Sequence, residues 1–142
     1  MVIMKHVLVS VILIFCLSQT NYAIKKVCFD KSCFNVKIAK TAEQRRIGLT
    51  QHKALGKNQG MLFLYPTKGF YSYWMKGMRF PIDMIWLDET RQIITLYEGV
   101  PPCFQETCPV FSSTKQALYV LELPAASISR LNLKTGRVAT FK

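Results

Sequence analysis

Acidic residues are scarce in this chain of 142 residues: 8 Asp and Glu stand against 19 Lys and Arg, a formal charge of +11. Such an imbalance favours acidic partners, among them nucleic acid, anionic lipid and envelope polymers. The basic residues are scattered from Lys25 to Lys142 without a dense block. The charge therefore reads as solubility with weak attraction to anionic envelope surfaces, and no nucleic-acid partner is expected. Histidine is equally sparse. With His6 in the extreme N-terminal segment, His52 stands alone in a polar loop, so a serine or cysteine triad has few members to draw on. No HExxH and no Gly-rich phosphate loop occurs, which removes the usual signs of a zinc peptidase or a nucleotide site. A Cys-x-x-Cys redox motif is absent, as are internal repeats and low-complexity tracts. No cofactor is implied.

Long apolar runs are also lacking, with one exception at the start. In "MVIMKHVLVSVILIFCLSQTNYA", Lys5 and His6 precede an apolar stretch from Val7 to Leu17, and a small residue follows at Ala23. That pattern describes a secretory signal peptide over residues 1–23. The run is shorter than the roughly 20 apolar residues needed to span a bilayer. Asn21 fits poorly three residues before the cut, and an uncleaved anchor is the alternative. Residues 24–142 form the expected domain, with a net charge of +10 once Lys5 is removed and no transmembrane segment. Periplasmic or secreted placement follows.

Cysteine usage fits export. After Cys16 is removed, Cys28, Cys33, Cys103 and Cys108 remain, in "VCFDKSCF" and "PPCFQETCPV". Four cysteines allow three pairings, and the spacing favours local ones, because four intervening residues suit a hairpin whose facing positions sit close enough to bridge. A four-thiolate zinc site is the rival, but such sites usually use two-residue spacings in reducing surroundings.

"KKVCFD" and "CFNVKIAK" read as strands around a turn at Asp30–Ser32, with Phe34, Val36 and Ile38 alternating. Thr41 with Gln44 three residues on is a capping-box signature, and Gly48 a stop, so a short helix is predicted over Ala42–Ile47. "MLFLYP" is predicted as a strand closed by Pro66, followed by strands in "FYSYWMK", "IDMIWLD" and "RQIITLYE". Gly99 to Gln116 reads as a long loop pinned by its own disulfide. "ALYVLEL" is a strand, Pro124 opens a short helix through Leu131, and "RVATF" closes the chain as a strand. The expected fold is one mainly β (α+β) domain: a mostly antiparallel curled sheet or partly closed barrel with two short helices.

The stretch "YWMKGMRFPIDMIWLDE" places Lys76, Arg79 and Asp83 among apolar residues. Since residues i and i+2 share a face of a strand, Asp83 points with Ile85 and Leu87, and Glu122 with Leu118 and Val120. Both carboxylates are expected to face inward. A buried carboxylate needs a cation, backbone donors or water. In the plain reading Asp83 caps a turn and Glu122 sits at the sheet rim. In the functional reading Lys76, Asp83 and Glu122 converge at one end of a barrel beside Trp74.

Several ordered blocks, "TAEQRRIGLT", "NQGMLFLYP", "YWMKGMRFPIDMIWLDE", "YVLELPA" and the terminal "TGRV", resemble the bacterial and archaeal DUF192 domain from about Val27 to Phe141. The family pattern Gly-Met-Leu-Phe, Trp-Met-Lys-Asn, Pro-Leu-Asp and Val-Leu-Glu falls on Gly60–Phe63, Trp74–Lys76, Pro81 and Asp83, and Val120–Glu122. Gly77 stands where the pattern has asparagine, Thr50 where methionine is common, and Thr135-Gly136-Arg137 where Gly-Asp-Arg is usual. The resemblance implies a compact, mostly β fold, commonly exported in bacterial members, and no assigned reaction.

The residues thus suggest a non-catalytic envelope protein. It would bind a small or polymeric anionic or carbohydrate-like ligand through Trp74, Lys76, Arg79, Asp83 and Glu122, with aromatic faces for stacking and cations for an anionic group. Two alternatives are a hydrolase using Asp83 and Glu122 as paired carboxylates, and soft-copper handling by Met61, Met75, Met78, Met84 and His52.

Overall fold

The computed structural model describes residues 23–142; the leader read from residues 1–23 lies outside that range except for Ala23. The first hairpin follows its sequence. β1 (Lys26–Phe29) and β2 (Ser32–Ala39) turn at Asp30, whose φ of 51° is a left-handed conformation that Asp tolerates better than most residues. Cys28 faces Cys33 directly across the ladder and is bonded to it, with Cα atoms 4.0 Å apart. α1 (Ala42–Ile47) begins at the Thr41/Gln44 capping box and ends at Gly48, with φ 50°. Then come β3 (Gln59–Gly69), β4 (Ser72–Trp74), β5 (Ile82–Leu87), β6 (Ile93–Val100), β7 (Val110–Ser112), β8 (Ala117–Pro124), α2 (Ser127–Leu131) and β9 (Thr140–Phe141).

Four local expectations need correction. β3 does not stop at Pro66, because the β3–β8 register shifts between Leu64 and Gly69 and no ladder bond is required of the proline there. The segment from Gly99 to Gln116 is pinned by its Cys103–Cys108 disulfide, as expected, but it also contains β7, which pairs with β4 in a separate two-stranded ribbon. Pro124 ends β8 rather than opening α2, which starts after Ala126 in a left-handed conformation. The last strand is confined to Thr140–Phe141.

Seven strands form one curled half-barrel sheet in the order β6-β5-β8-β3-β2-β1-β9, antiparallel except for β2–β3. Its two edges meet at one corner, where the Ile93 N–H donates to the Arg137 carbonyl and the Gly136 N–H to the Ile93 carbonyl, both at 2.8 Å. Gly136, at φ 89°, supplies the left-handed turn this corner needs.

Alternation along the strands divides the apolar residues into two layers. Val27, Phe34, Leu62, Ile85, Leu121 and Leu123 belong to an inner layer inside the curl, closed at one end by Ile128 of α2. Met61, Phe63, Met84, Trp86 and Val120 belong to an outer layer on the opposite face, covered by the β4–β7 ribbon and the loop after α1. β5 is buried throughout because it serves both layers.

β3 and β8 approach closely at Gly60, where an added Cβ would lie 2.7 Å from the Glu122 carbonyl oxygen and 2.9 Å from a Leu123 methyl. The first of these neighbours is backbone and cannot swing aside. Gly60→Ala is therefore expected to lower unfolding free energy by about 1–3 kcal/mol, the usual scale of overpacking, as read from urea denaturation midpoints.

Candidate functional site

The outer layer is roofed by aromatic packing. Tyr73 of β4 sets its ring edge-on against Phe63 at 5.1 Å and Trp86 at 5.8 Å. Trp86 meets Tyr97 at 5.6 Å, and Tyr97 meets Phe111 of β7 at 5.2 Å. The Trp86 indole N–H also donates to the Tyr71 carbonyl at 2.9 Å. With Tyr73 committed inward, its neighbours Ser72 and Trp74 point outward, and Trp74 is 59% exposed.

Between this ribbon, the loop after α1 and the outer face of β3 and β8 lies a cavity of about 560 Å³. Four of the five sequence blocks from which the DUF192 resemblance is drawn contribute to its wall. Arg45 to Thr50 come from the first, with Gln51 just after it, Phe63 and Tyr65 from the second, Tyr73, Trp74 and Lys76 to Met78 from the third, and Glu122 from the fourth. Chain segments up to about eighty residues apart thus meet at one hollow.

Glu122 is the one carboxylate in that wall. Its cross-strand neighbours are Met61 on β3 and Met84 on β5, so neither flanking strand offers it a polar side chain. It is buried, and burial alone pushes its carboxyl up from 4.5 to about 8, with no hydrogen bond or cation to offset the desolvation. Nearby, the Tyr65 and Tyr73 hydroxyls are 2.8 Å apart. Burial raises both phenols above their ordinary range, so they remain protonated hydrogen-bonding groups.

The cations at the cavity differ in how free they are. The Arg45 guanidinium donates to the Lys40 and Leu64 carbonyls and lies 4.8 Å from the Tyr65 ring centre. Arg46 pairs with Glu43 on the exposed side of α1. Lys76 lies 5.8 Å from the Trp74 ring centre, and its ammonium has a single carbonyl acceptor, Glu106, at 3.2 Å. Glu106 belongs to the loop closed by Cys103–Cys108, and the Cys103 N–H donates to the Met75 carbonyl, so this disulfide loop braces the lysine. Arg79 is exposed and does not line the cavity.

Asp83 is elsewhere, so the expected convergence of Lys76, Asp83 and Glu122 is not found. Asp83 pairs with Leu123 while Glu122 pairs with Met84, so the two carboxylates leave opposite faces of the sheet. The reason is parity: neighbouring positions on two paired strands cannot share a face. Asp83 points to the inner side and accepts N–H groups from Gly99 at 2.8 Å, Ala126 at 3.3 Å and Ile128 at 2.7 Å. Burial raises its carboxyl above the usual range, and these backbone donors pull it back. It fastens β6 and the start of α2 to β5, a structural task met by backbone donors instead of a cation. On opposite faces of the sheet, Asp83 and Glu122 cannot flank one scissile bond as paired carboxylates.

Of the residues of the soft-metal reading, the four methionines share one buried layer and His52 stands apart from them. Met61, Met75, Met78 and Met84 are buried in the outer layer. His52 faces a different hollow, with Nε2 3.0 Å from the Lys37 ammonium nitrogen. Among the described residues, no three His, Cys, Asp or Glu side chains are grouped to hold a metal ion.

A model of the family DUF192, described as Uncharacterized ACR, matches residues 25–141. The chain belongs to the DUF192 family. No curated protein matches this DUF192 domain. Its fold is similar to a crystal structure from Sinorhizobium meliloti 1021, provisionally described as a transcription regulator, with TM-score 0.71 and 28% identity over 77% of this chain and 82% of that one. A protein of unknown function from Novosphingobium aromaticivorans is similar in fold, with TM-score 0.75 and 24% identity over 82% and 84% of the two chains. Two departures of this DUF192 domain from the family pattern are neighbours on the cavity wall: a Cβ at Gly77 would lie 3.7 Å from the Thr50 methyl. Gly77 has φ 78°, a region that glycine and asparagine enter more readily than other residues, and it lines the hollow without a side chain.

Tyr65, Tyr73 and Arg45 were missed by sequence reasoning, which followed charge along one stretch. The signal that could have found them was the set of separated family blocks, since all of these residues lie within or beside one.

Two outcomes follow from the two acids. Between pH 4.5 and about 8 the unfolded chain ionises Glu122 while the folded one holds its proton, so this residue makes stability fall as pH rises. Glu122→Gln removes that slope, worth up to about 1.4 kcal/mol per pH unit. Denaturation of both proteins at pH 5 and pH 8 should show the variant gaining on the parent at the higher pH. Asp83→Ala leaves three N–H groups without their acceptor and is expected to cost about 3 kcal/mol or more, given 1–3 kcal/mol per orphaned buried donor. Hydrogen exchange should quicken at Gly99, Ala126 and Ile128.

Proposed function

We propose that this DUF192 domain is a non-catalytic binding module of an exported envelope protein, and that its outer cavity takes a small carbohydrate-like ligand bearing an anionic group. The single observation behind this reading is Glu122: a buried carboxyl without a protein partner on the wall of a hollow large enough for a small ligand. A largely buried carboxyl that opens only onto the hollow has lost solvation that a ligand hydroxyl or amine can offset. Trp74 at the mouth offers an apolar face for a sugar ring, the Tyr65–Tyr73 hydroxyls offer hydrogen bonds, and Lys76 offers charge to an anionic substituent. Asp83 and Arg79, expected at this site from sequence, have no part in it.

Export is supported by the leader pattern of residues 1–23 and by the two disulfides. No helix among the described residues is long and apolar enough to cross a membrane. The regulator description of the Sinorhizobium relative does not carry over readily. The helices described here have six and five residues and form no helix-turn-helix pair, and the basic residues are dispersed.

Titrating the protein with a panel of neutral and acidic monosaccharides, followed by amide chemical shifts, tests this reading. Perturbations should gather at Tyr65, Tyr73, Lys76 and Glu122. Trp74→Ala and Lys76→Ala should each weaken binding about five- to ten-fold, the scale of one contact worth about 1 kcal/mol, while Asp83→Asn should alter stability alone. Unchanged affinity in both cavity variants would refute the site.

A further inference from the structure

The cavity wall is chemically two-ended. Inside, Glu122 faces Tyr65 from β3, Tyr73 from β4 and, farther off, the Arg45 guanidinium, whose hydrogen bonds go to the Lys40 and Leu64 carbonyls. The flanking strands present Met61 and Met84 to it. At the mouth, the Lys76 ammonium has one carbonyl partner and lies near the exposed Trp74 ring. The inner end therefore carries an unmatched acid among aromatic rings, and the outer end an under-used cation.

We propose that the ligand is amphoteric, with a protonated amine directed to Glu122 and an acidic group directed to Lys76. This deepens the carbohydrate-like reading above and rests on it. An amine suits the inner end better than a hydroxyl on two physical grounds. A charge-assisted hydrogen bond to a carboxylate is roughly twice as strong as a neutral one. Aromatic rings also attract a cation, and Phe63, Tyr65 and Tyr73 line the same wall. No charge or hydrogen bond of the described residues offsets the burial of Glu122, which holds its proton up to about pH 8. An ammonium group arriving beside it would supply the missing counter-charge, ionise the acid and release its proton to solvent. The amine contact should then strengthen as pH rises towards 8, while a ligand that merely accepts a hydrogen bond from the neutral acid should weaken over the same interval.

Four probes that differ by one group at a time separate these ideas: glucose, glucosamine, glucose 6-phosphate and glucosamine 6-phosphate. Calorimetry at pH 6 and pH 8, in buffers of different ionisation enthalpy, gives affinity and proton release together. Glucosamine 6-phosphate is expected to bind at least about ten-fold tighter than glucose 6-phosphate at pH 8, with protons released on binding at pH 6, where the free acid and the free sugar amine are both protonated. Glu122→Gln should abolish that advantage yet keep glucose 6-phosphate binding, and Lys76→Ala should remove the preference for the phosphorylated pair. Equal or tighter binding of glucose 6-phosphate by the unaltered protein overturns the amphoteric ligand and leaves the binding module standing. Absence of binding by all four at millimolar concentration overturns both.

Discussion

Five aromatic rings packed edge to face, running from Phe63 through Tyr73, Trp86 and Tyr97 to Phe111, hold the β4–β7 ribbon against the outer face of the sheet. Each such contact adds about 0.5–1.5 kcal/mol beyond the area it buries. The ribbon is only three residues long on each side and makes no ladder with the main sheet; these rings and the Trp86–Tyr71, Tyr97–Ser112 and Tyr65–Tyr73 hydrogen bonds attach it. Without that roof Glu122 would be an ordinary carboxylate on a solvated sheet face. With it, the same side chain is buried beside a hollow that opens to solvent.

Two acids on adjacent strands illustrate how local geometry decides the fate of a buried charge. Asp83 finds three backbone donors, because the end of β6 and the start of α2 both reach the rim of the inner layer beside it. Its negative charge suits the N–H groups at the beginning of a helix. Glu122, one register position away and on the other face, meets methionines on both sides and aromatic rings above. The first arrangement is complete within the protein and stiffens it. The second is left incomplete, and incompleteness is what a ligand can exploit.

Much of the fold was legible along the chain. The Thr41–Gln44 capping box, the Cys28–Cys33 hairpin and the alternation in "IDMIWLD" are local signals, and the structure reproduces them. The short ribbon strand β7 was not legible, because three residues inside a proline- and cysteine-rich loop carry no periodicity of their own. α2 was misplaced by reading Pro124 as a helix start, when the strand pairing of Ile82 with Pro124 carries β8 one residue further. The candidate site was half legible: Trp74, Lys76 and Glu122 line the cavity, while Arg79 and Asp83 do not.

What the sequence determined by itself is the alternation of side chains between the two faces of each strand and the presence of two carboxylates among apolar neighbours, since both depend only on neighbours one or two residues away. Which layer each carboxylate enters depends on the register between β5 and β8, whose paired residues are about forty positions apart. No local pattern encodes that offset. It is fixed by the packing of both layers at once, and only the tertiary structure could assign one acid to holding the fold and the other to an open hollow.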